Sequence, residues 1–179
     1  MSAPVPPTTY AAWQELLDRF GAGDNSLIAA LEGGRIEWSP GMTERWTCRM
    51  NEVLAARLRA LSSQLQKDLD RARGDRHGIE SALVRAGSGI DPLARFCRLP
   101  CAPAEVRSHL LGELERWSRQ TRASLESNLA RDRSDQGVLL RSVRAAAARL
   151  EIPPEPAPAA PAPSSGSPAN SDRRRRILS

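Results

Sequence analysis

An apolar stripe with an eleven-residue period runs through residues 50–72 and constrains the fold more than any other feature of the sequence. Successive apolar positions are separated by 4, 4, 3, 4, 4 and 3 residues, along Met50, Leu54, Leu58, Leu61, Leu65, Leu69 and Ala72. Eleven residues over three turns is about 3.67 residues per turn, so the stripe stays on one face of a helix with almost no supercoiling. The pattern predicts one long amphipathic helix over residues 40–73.

A second apolar stripe of nearly the same period follows Pro103 and predicts another long helix. Its members are Val106, Leu110, Leu114, Trp117, Thr121, Leu125 and Leu129. A segment of about 30 residues joins the two predicted helices, and helices with matched apolar faces tend to pack together. We therefore predict that these two helices form an antiparallel pair.

The connecting segment opens with an ambiguous helix boundary. Asp75 can cap a new helix, since a side-chain oxygen there can accept hydrogen bonds from the first turn. A single helix running on through Gly74 and Gly78 is the alternative, at a cost of about 1 kcal/mol per glycine. Whether residues 40–86 form one helix or two therefore stays open at the level of sequence.

A firmer interruption is predicted at Gly87-Ser88-Gly89. Asp91-Pro92 then predicts the start of a short helical turn, because proline is favoured at the first helical position. That turn carries the apolar residues Leu93, Phe96 and Cys97.

The first third of the chain predicts an N-terminal helical hairpin preceded by a flexible, proline-rich lead, residues 1–8. Thr9 can cap the first helix, whose apolar stripe is Trp13, Leu16, Leu17 and Phe20. Asp24 can cap a second, shorter helix, and Gly33-Gly34 supplies its stop.

Composition supports a helical fold for residues 9–151. Strong helix formers such as Ala, Leu, Arg and Glu dominate, and aromatic residues make up only 4% of the chain. We predict an all-α, elongated helical bundle built on the antiparallel pair, with the N-terminal hairpin at one end. The stripe Leu139, Leu140, Val143, Ala147 and Leu150 predicts a last helix in this domain.

Residues 152–179 differ in character from the rest of the chain. They contain seven of the 14 prolines, together with many Ala and Ser residues. Such a segment buries too little apolar surface to offset the entropy lost on ordering. We predict a disordered C-terminal tail with a basic tip.

The cellular compartment can be inferred only from the absence of targeting features in the sequence. The start of the chain has neither a basic region nor an apolar core typical of a secretory signal, and no stretch of about 18 apolar residues predicts a membrane span. The 3 cysteines do not form an even disulfide framework. We expect a cytoplasmic protein.

Two tryptophans flank the start of the first long helix, in the sequence RIEWSPGMTERW. Ser39-Pro40 is typical of a helix start, so Trp38 and Trp46 can clamp the hairpin onto that helix. The alternative is a docking surface, because Trp and Arg are enriched in binding hot spots. On that interpretation Arg35, Trp38 and Trp46 contact a protein partner.

The sharpest charged feature is the run Arg173, Arg174, Arg175 and Arg176. Four adjacent positive charges on a flexible arm can contact nucleic-acid phosphates or an acidic partner. The alternative is that so short a run only aids solubility. The formal net charge of +5 adds weak support for a nucleic-acid partner.

Candidate catalytic and metal-binding residues are few. Cys97 and Cys101 have a spacing that a metal site permits, but a four-ligand site would need help from Cys48, His77 or His109. No nucleophile, base and orienting group occur together in a recognisable pattern. We expect buried or incidental thiols, no metal, no cofactor and no enzymatic activity.

These features favour a non-enzymatic helical protein–protein interaction module, such as an adaptor, a chaperone-like subunit or a small scaffold. Its partner would be another protein or a second copy, bound through apolar helix faces. The alternative is an accessory or regulatory protein that binds nucleic acid through the arginine-rich tail.

Overall fold

The computed structural model describes residues 5–36, 40–72, 75–131 and 148–154. Within those ranges the chain forms five α-helices and two short 3₁₀ turns, Asn25–Leu27 and Ala148–Leu150, and no β-strand. The helices are α1 (Tyr10–Gly21), α2 (Ile28–Gly33), α3 (Pro40–Arg71), α4 (Arg76–Cys97) and α5 (Ala104–Arg131). The all-α prediction is confirmed.

Three side-chain caps set helix boundaries where the sequence places them. Thr9 Oγ1 accepts from the Ala12 N–H at 3.3 Å, and Asp24 Oδ1 accepts from the Ser26 N–H at 3.2 Å. Asp75 accepts from two N–H groups in the first turn of α4, at 3.1 and 3.0 Å. Residues 40–86 therefore contribute to two helices, α3 and α4, with the boundary at the Asp75 cap.

The predicted break at Gly87-Ser88-Gly89 is wrong, because α4 runs through it and through Pro92 without interruption. Packing explains the continuity. A Cβ at Gly89 would stand 2.9 Å from Leu61 Cδ1 of α3, closer than real contacts allow. The glycine thus permits a close approach of two helices rather than ending one.

Burial outweighs the local cost of this sequence in α4. The two glycines cost about 1 kcal/mol each and Pro92 about 3 kcal/mol relative to alanine. Leu83, Ile90 and Leu93 are fully buried on the same helix, and each contributes about 1.5–3 kcal/mol by leaving water. Tertiary packing therefore overrides helix propensity here.

The antiparallel pair consists of α3 and α4. Leu61 meets Gly89, and Asp68 further along α3 meets Arg85 earlier in α4. The expectation that the helix after Pro103 would be antiparallel to α3 is corrected. Instead α5 runs parallel to α3, since α4 makes one full reversal between them and α5 a second.

Contacts at two points along the bundle show that α5 runs parallel to α3. Leu54 and Leu58 share a cavity with His109 and Glu113, near the start of α5. Further along both helices, the Trp117 Nε1–H donates to Ser62 Oγ at 2.8 Å. Residue numbers therefore increase in the same direction along α3 and α5, so the two helices are parallel.

Two apolar cores lie along this elongated bundle. The upper core joins the N-terminal hairpin to the first half of α3, the second half of α4 and the start of α5, and the rings of Phe20 and Phe96 stack within it at 5.0 Å. The lower core contains Leu65, Ala82, Leu83, Ala86, Ile90, Leu125 and Leu150.

The chain returns to the bundle after α5. Leu150 is fully buried, and its carbonyl accepts from Ser118 Oγ at 2.6 Å. The Pro153 carbonyl accepts from Arg98 at 2.5 Å, so packing continues two residues beyond the predicted domain end at Glu151. Of the last predicted helix, whose apolar residues run from Leu139 to Leu150, the structure describes only the 3₁₀ turn Ala148–Leu150. Its earlier part and the tail from residue 155 lie outside the described residues.

The proline-rich lead is attached to the body at Pro7, which is buried. The Pro7 carbonyl accepts from the Arg35 N–H at 3.1 Å, directly after α2. In the part of the chain that the structure describes, no helix combines the length and apolarity needed to cross a membrane.

We predict that Gly34→Ala destabilises the hairpin by about 1–3 kcal/mol through overpacking. A Cβ at Gly34 would lie 2.4 Å from Trp13 Cζ2 and 2.9 Å from Pro7 Cγ. The control is Gly112→Ala in α5, where a Cβ meets nothing within 4 Å and helix propensity favours alanine by about 1 kcal/mol. Urea unfolding should show opposite signs for the two variants, and equal signs would contradict this packing.

Asp68 is the buried carboxylate of the contact between α3 and α4, with 7% of its surface exposed. It accepts from Gln64 at 3.0 Å and from Arg85 at 3.2 Å, and Arg71 lies 3.6 Å away. Desolvation raises the pKa of Asp68, but these hydrogen bonds and the two arginine charges outweigh it and hold that pKa below its usual value.

The lowered pKa of Asp68 predicts a specific loss of stability in acid. Its contribution is complete above the unfolded-state pKa of about 3.9 and is lost as the pH falls through the lower folded-state value. Between about pH 5 and pH 2, the free energy of unfolding should fall more steeply for the wild type than for Asp68→Asn. Urea unfolding across that range checks this, with Glu126→Gln on exposed α5 surface as control. Parallel profiles for wild type and Asp68→Asn would contradict it.

Candidate functional site

Among the described residues, a groove lies between α3 and α5, on the side of these two helices that α4 does not cover. It has two hollows. The upper hollow, of about 310 Å³, is lined by Asn51, Leu54, Ala55, Leu58, His109 and Glu113. The lower hollow, of about 290 Å³, is lined by Ser62, Leu65, Gln66, Leu69, Trp117, Gln120, Thr121, Ser124 and Leu125. Together these residues define the α3/α5 groove.

Trp117 bridges the two helices at the junction of the hollows. Its ring is partly buried, and its Nε1–H donates to Ser62 Oγ at 2.8 Å. The apolar ring of Trp117 packs between the helices while its N–H forms the hydrogen bond, and the two contacts fix the spacing of α3 and α5 at this level. The groove is therefore a preformed feature rather than a loose gap.

The lower hollow is uncharged, although 26% of the chain is charged. Its floor is formed by Leu65, Leu69, Trp117 and Leu125, and its rim carries only hydroxyl and amide groups, on Ser62, Gln66, Gln120, Thr121 and Ser124. None of the described residues that line it bears a charge. Depletion of charge at an apolar patch is typical of the centre of a protein–protein interface.

The upper hollow has a more polar edge. Asn51 Oδ1 is buried there and has no hydrogen-bond partner among the described residues. Glu113 accepts from Arg116 at 2.6 Å, and His109 is exposed beside it. Because buried acceptors are normally satisfied, Asn51 offers an acceptor to a group bound in this hollow.

The groove has the dimensions of a helix-binding site. From Asn51 to Leu69 it extends along 18 residues of α3, or about 27 Å at 1.5 Å per residue. The returning segment does not fill it, since Ser118 and Arg122 bind that segment on the other flank of α5. A third hollow on that flank, of about 360 Å³, is the seam between α5 and Glu151-Ile152.

The predicted aromatic corner is only partly described. Trp46 lies in the upper core with 3% of its surface exposed, and its ring meets Tyr10 and Trp13 edge to face at 5.2 and 5.8 Å. Arg35 is exposed, and its carbonyl accepts from Trp13 Nε1 at 2.8 Å. Trp38 lies outside the described residues, so docking at this corner stays a prediction that depends on Arg35 and Trp38.

The predicted basic contact also stays a prediction, because Arg173, Arg174, Arg175 and Arg176 lie outside the described residues.

The structure brings Arg35 and Trp46 to the same end of the bundle, near α1. It assigns neither of them to the α3/α5 groove.

Sequence reasoning missed the groove although a signal is present. It placed Leu65, Trp117 and Thr121 on apolar stripes, which identify positions that face a core. The run Ala60-Leu-Ser-Ser-Gln-Leu-Gln66 carries no charge although 26% of the chain is charged, and that run marks the α3 side of the lower hollow.

Cys97 and Cys101 are poorly suited to act as nucleophiles or metal ligands. Burial raises the pKa of Cys97 to about 12, and burial also raises the pKa of Cys101. A thiol is a poor nucleophile and metal ligand until it ionises. Within the described ranges, no group of three or more His, Cys, Asp or Glu side chains is placed to hold a metal ion.

Comparisons of the chain with protein-family models, with curated proteins and with solved structures gave no significant match. The candidate function therefore depends on the geometry and composition of the α3/α5 groove. An apolar floor, an uncharged rim and a helix-sized length suit the binding of a protein helix.

We predict that the thiols differ sharply in reactivity near neutral pH. Cys48 is exposed and Cys97 is buried with a raised pKa, so an aromatic disulfide reagent should modify Cys48 quickly and Cys97 only after unfolding. Mass spectrometry of the labelled peptides measures both, and Cys48→Ser should remove the fast phase. Rapid labelling of Cys97 in the folded chain would contradict the described burial.

Proposed function

We propose that this protein is a non-enzymatic helical interaction module that binds an α-helix of a partner protein in the α3/α5 groove. The observation that carries the proposal is the lower hollow, where an apolar floor is surrounded by an uncharged rim. A solvated helix face in a chain this rich in Arg and Glu would be expected to carry charges instead.

The energetics of the groove favour a partner helix with a narrow apolar stripe. Leu69 and Trp117 are partly buried in the free protein and have surface left to cover. Each large apolar side chain that a partner buries contributes about 1.5–3 kcal/mol. Three or four such residues would contribute about 5–12 kcal/mol in total. That only offsets the cost of association, about 4–15 kcal/mol, so net affinity depends on further contacts along the groove.

Polar groups of the groove add specificity. The free acceptor Asn51 Oδ1 in the upper hollow favours a partner that presents a donor at that height. The hydroxyl and amide groups of the lower rim can hydrogen-bond to a partner's polar flank without the desolvation cost of a buried charge. Partner choice would thus depend on shape and hydrogen bonding more than on charge steering.

We predict that Thr121→Arg abolishes partner binding and that Ala123→Arg does not. Thr121 lines the lower hollow, whereas Ala123 is exposed on the opposite face of the same helix. An arginine at residue 121 places an unpaired charge against an apolar floor, which should lower recovery of a partner by about tenfold or more. The measurement is affinity purification from the native host after nuclease treatment, with quantitative mass spectrometry.

Two controls make this measurement decisive. Circular dichroism must show that both variants stay folded, and a truncation after Pro154 removes the tail while keeping the residues that pack on the body. Equal recovery of every partner with both variants would rule out the groove. Loss of the co-purifying material on nuclease treatment or on truncation would instead favour the nucleic-acid alternative with the arginine-rich tail.

A further inference from the structure

We propose that the body of this protein carries a binding site for a short peptide, and that residues 150–153 of the chain occupy this site as a built-in competitor. We call these residues the strap. The strap-binding site is formed by Arg98 directly after α4, by Ser118 and Arg122 of α5, and by the apolar pocket around Leu150. It lies on the flank of α5 away from the α3/α5 groove, and it does not depend on the function proposed for that groove.

The strap is anchored by one fully buried side chain, that of Leu150. Its pocket belongs to the lower core and includes Leu83 and Ile90 of α4 and Leu125 of α5. Ile152 also packs on the body but is only partly buried. Sites that recognise short peptides use such a pocket for one side chain to gain specificity, while contacts to the peptide backbone add affinity.

Two side chains of the site recognise the backbone of the strap. Ser118 Oγ donates to the Leu150 carbonyl at 2.6 Å, and Arg98 donates to the Pro153 carbonyl at 2.5 Å. Ser118 has only 2% of its surface exposed, and a buried hydroxyl normally has a hydrogen-bond partner. The site is therefore built to receive a peptide carbonyl, and any peptide that follows the same path can supply one.

The site also selects the charge of its ligand. Arg122 donates to the Glu151 carboxylate at 2.9 Å, directly after the anchoring leucine. The hollow of about 360 Å³ beside the strap is lined by Glu115 and Arg119 as well as by these two residues, so a longer ligand has room to extend there. The ligand class is thus a short peptide in which an acidic residue follows a leucine.

The strap can leave this site without unfolding a helix. It follows the 3₁₀ turn Ala148–Leu150 and belongs to no α-helix, so the body holds it through the Leu150 side chain and the hydrogen bonds from Arg98, Ser118 and Arg122. Short segments held by few contacts open locally at a lower free-energy cost than the helices on which they pack. A free peptide with the same chemistry therefore competes with the strap.

Fluorescence anisotropy of a labelled peptide with the sequence of residues 148–154 tests this competition on the full chain. Leu150→Asp removes the anchor of the strap and leaves the site open, so this variant should bind the peptide at least about tenfold more tightly than the wild type. The control is Val5→Asp, which introduces the same charge at a residue with 81% of its surface exposed and should bind like the wild type. A peptide that itself carries Leu150→Asp should bind none of these chains.

A charge reversal then identifies the site. In the Leu150→Asp chain, Arg122→Glu should weaken binding of the peptide by about tenfold or more, because two carboxylates then face each other. A peptide with Glu151→Arg should bind this double variant more tightly than the original peptide does. Without that rescue the peptide binds elsewhere, and the assigned site is wrong.

Circular dichroism establishes that each variant is folded before binding is measured. If Leu150→Asp unfolds the chain, Glu151→Arg takes its place, since it weakens the strap at its exposed edge and keeps the buried anchor. A folded strap variant that binds the peptide no more tightly than the wild type overturns the proposal, because residues 150–153 are then a fixed part of the core. Either result leaves the α3/α5 groove untouched, since Thr121→Arg tests that site separately.

Discussion

The close approach of α3 and α4 at Gly89 is the contact on which the rest of the structure depends. The Leu61 side chain occupies the space that a side chain at residue 89 would need, so glycine lets Leu61 pack directly on the backbone of α4. Besides α3, α4 also contacts α2, α5 and the 3₁₀ turn Ala148–Leu150. Both apolar cores therefore share α4 as a common wall. A larger residue at position 89 would force the Leu61 side chain to shift.

The groove follows from this arrangement. Since α4 reverses the chain once and α5 reverses it again, α3 and α5 point the same way and meet mainly through α4. Trp117 ties the two helices together directly at mid-height through its hydrogen bond to Ser62. The returning segment satisfies the opposite flank of α5 through Ser118 and Arg122. Residues 150–151 thus cover one flank of α5, whereas no segment that the structure describes covers the apolar floor on the other flank.

Local features of the fold could be predicted from sequence, and features that depend on distant contacts could not. The caps at Thr9, Asp24 and Asp75 act within one helical turn, so short motifs identify them. The continuity of α4 at Gly89 depends on Leu61, 28 residues earlier in the chain, so a local pattern predicts a break there. That error propagated to the direction of α5. Apolar stripes identify which face of a helix is buried, but they do not say which flank lacks a neighbour, and so the groove was missed.

Because the chain returns to pack Leu150 near Ser118, the two cores can form at different times during synthesis. The upper core draws its buried members from residues up to Leu114, whereas the lower core includes Leu150. On a ribosome, the first core can therefore consolidate while the second still lacks one of its walls. The lower halves of α3 and α4 must wait, partly uncovered, until residue 150 has emerged from the exit tunnel. In the time between formation of the upper core and formation of the lower core, Leu65 and Leu83 are exposed and most prone to non-native contacts.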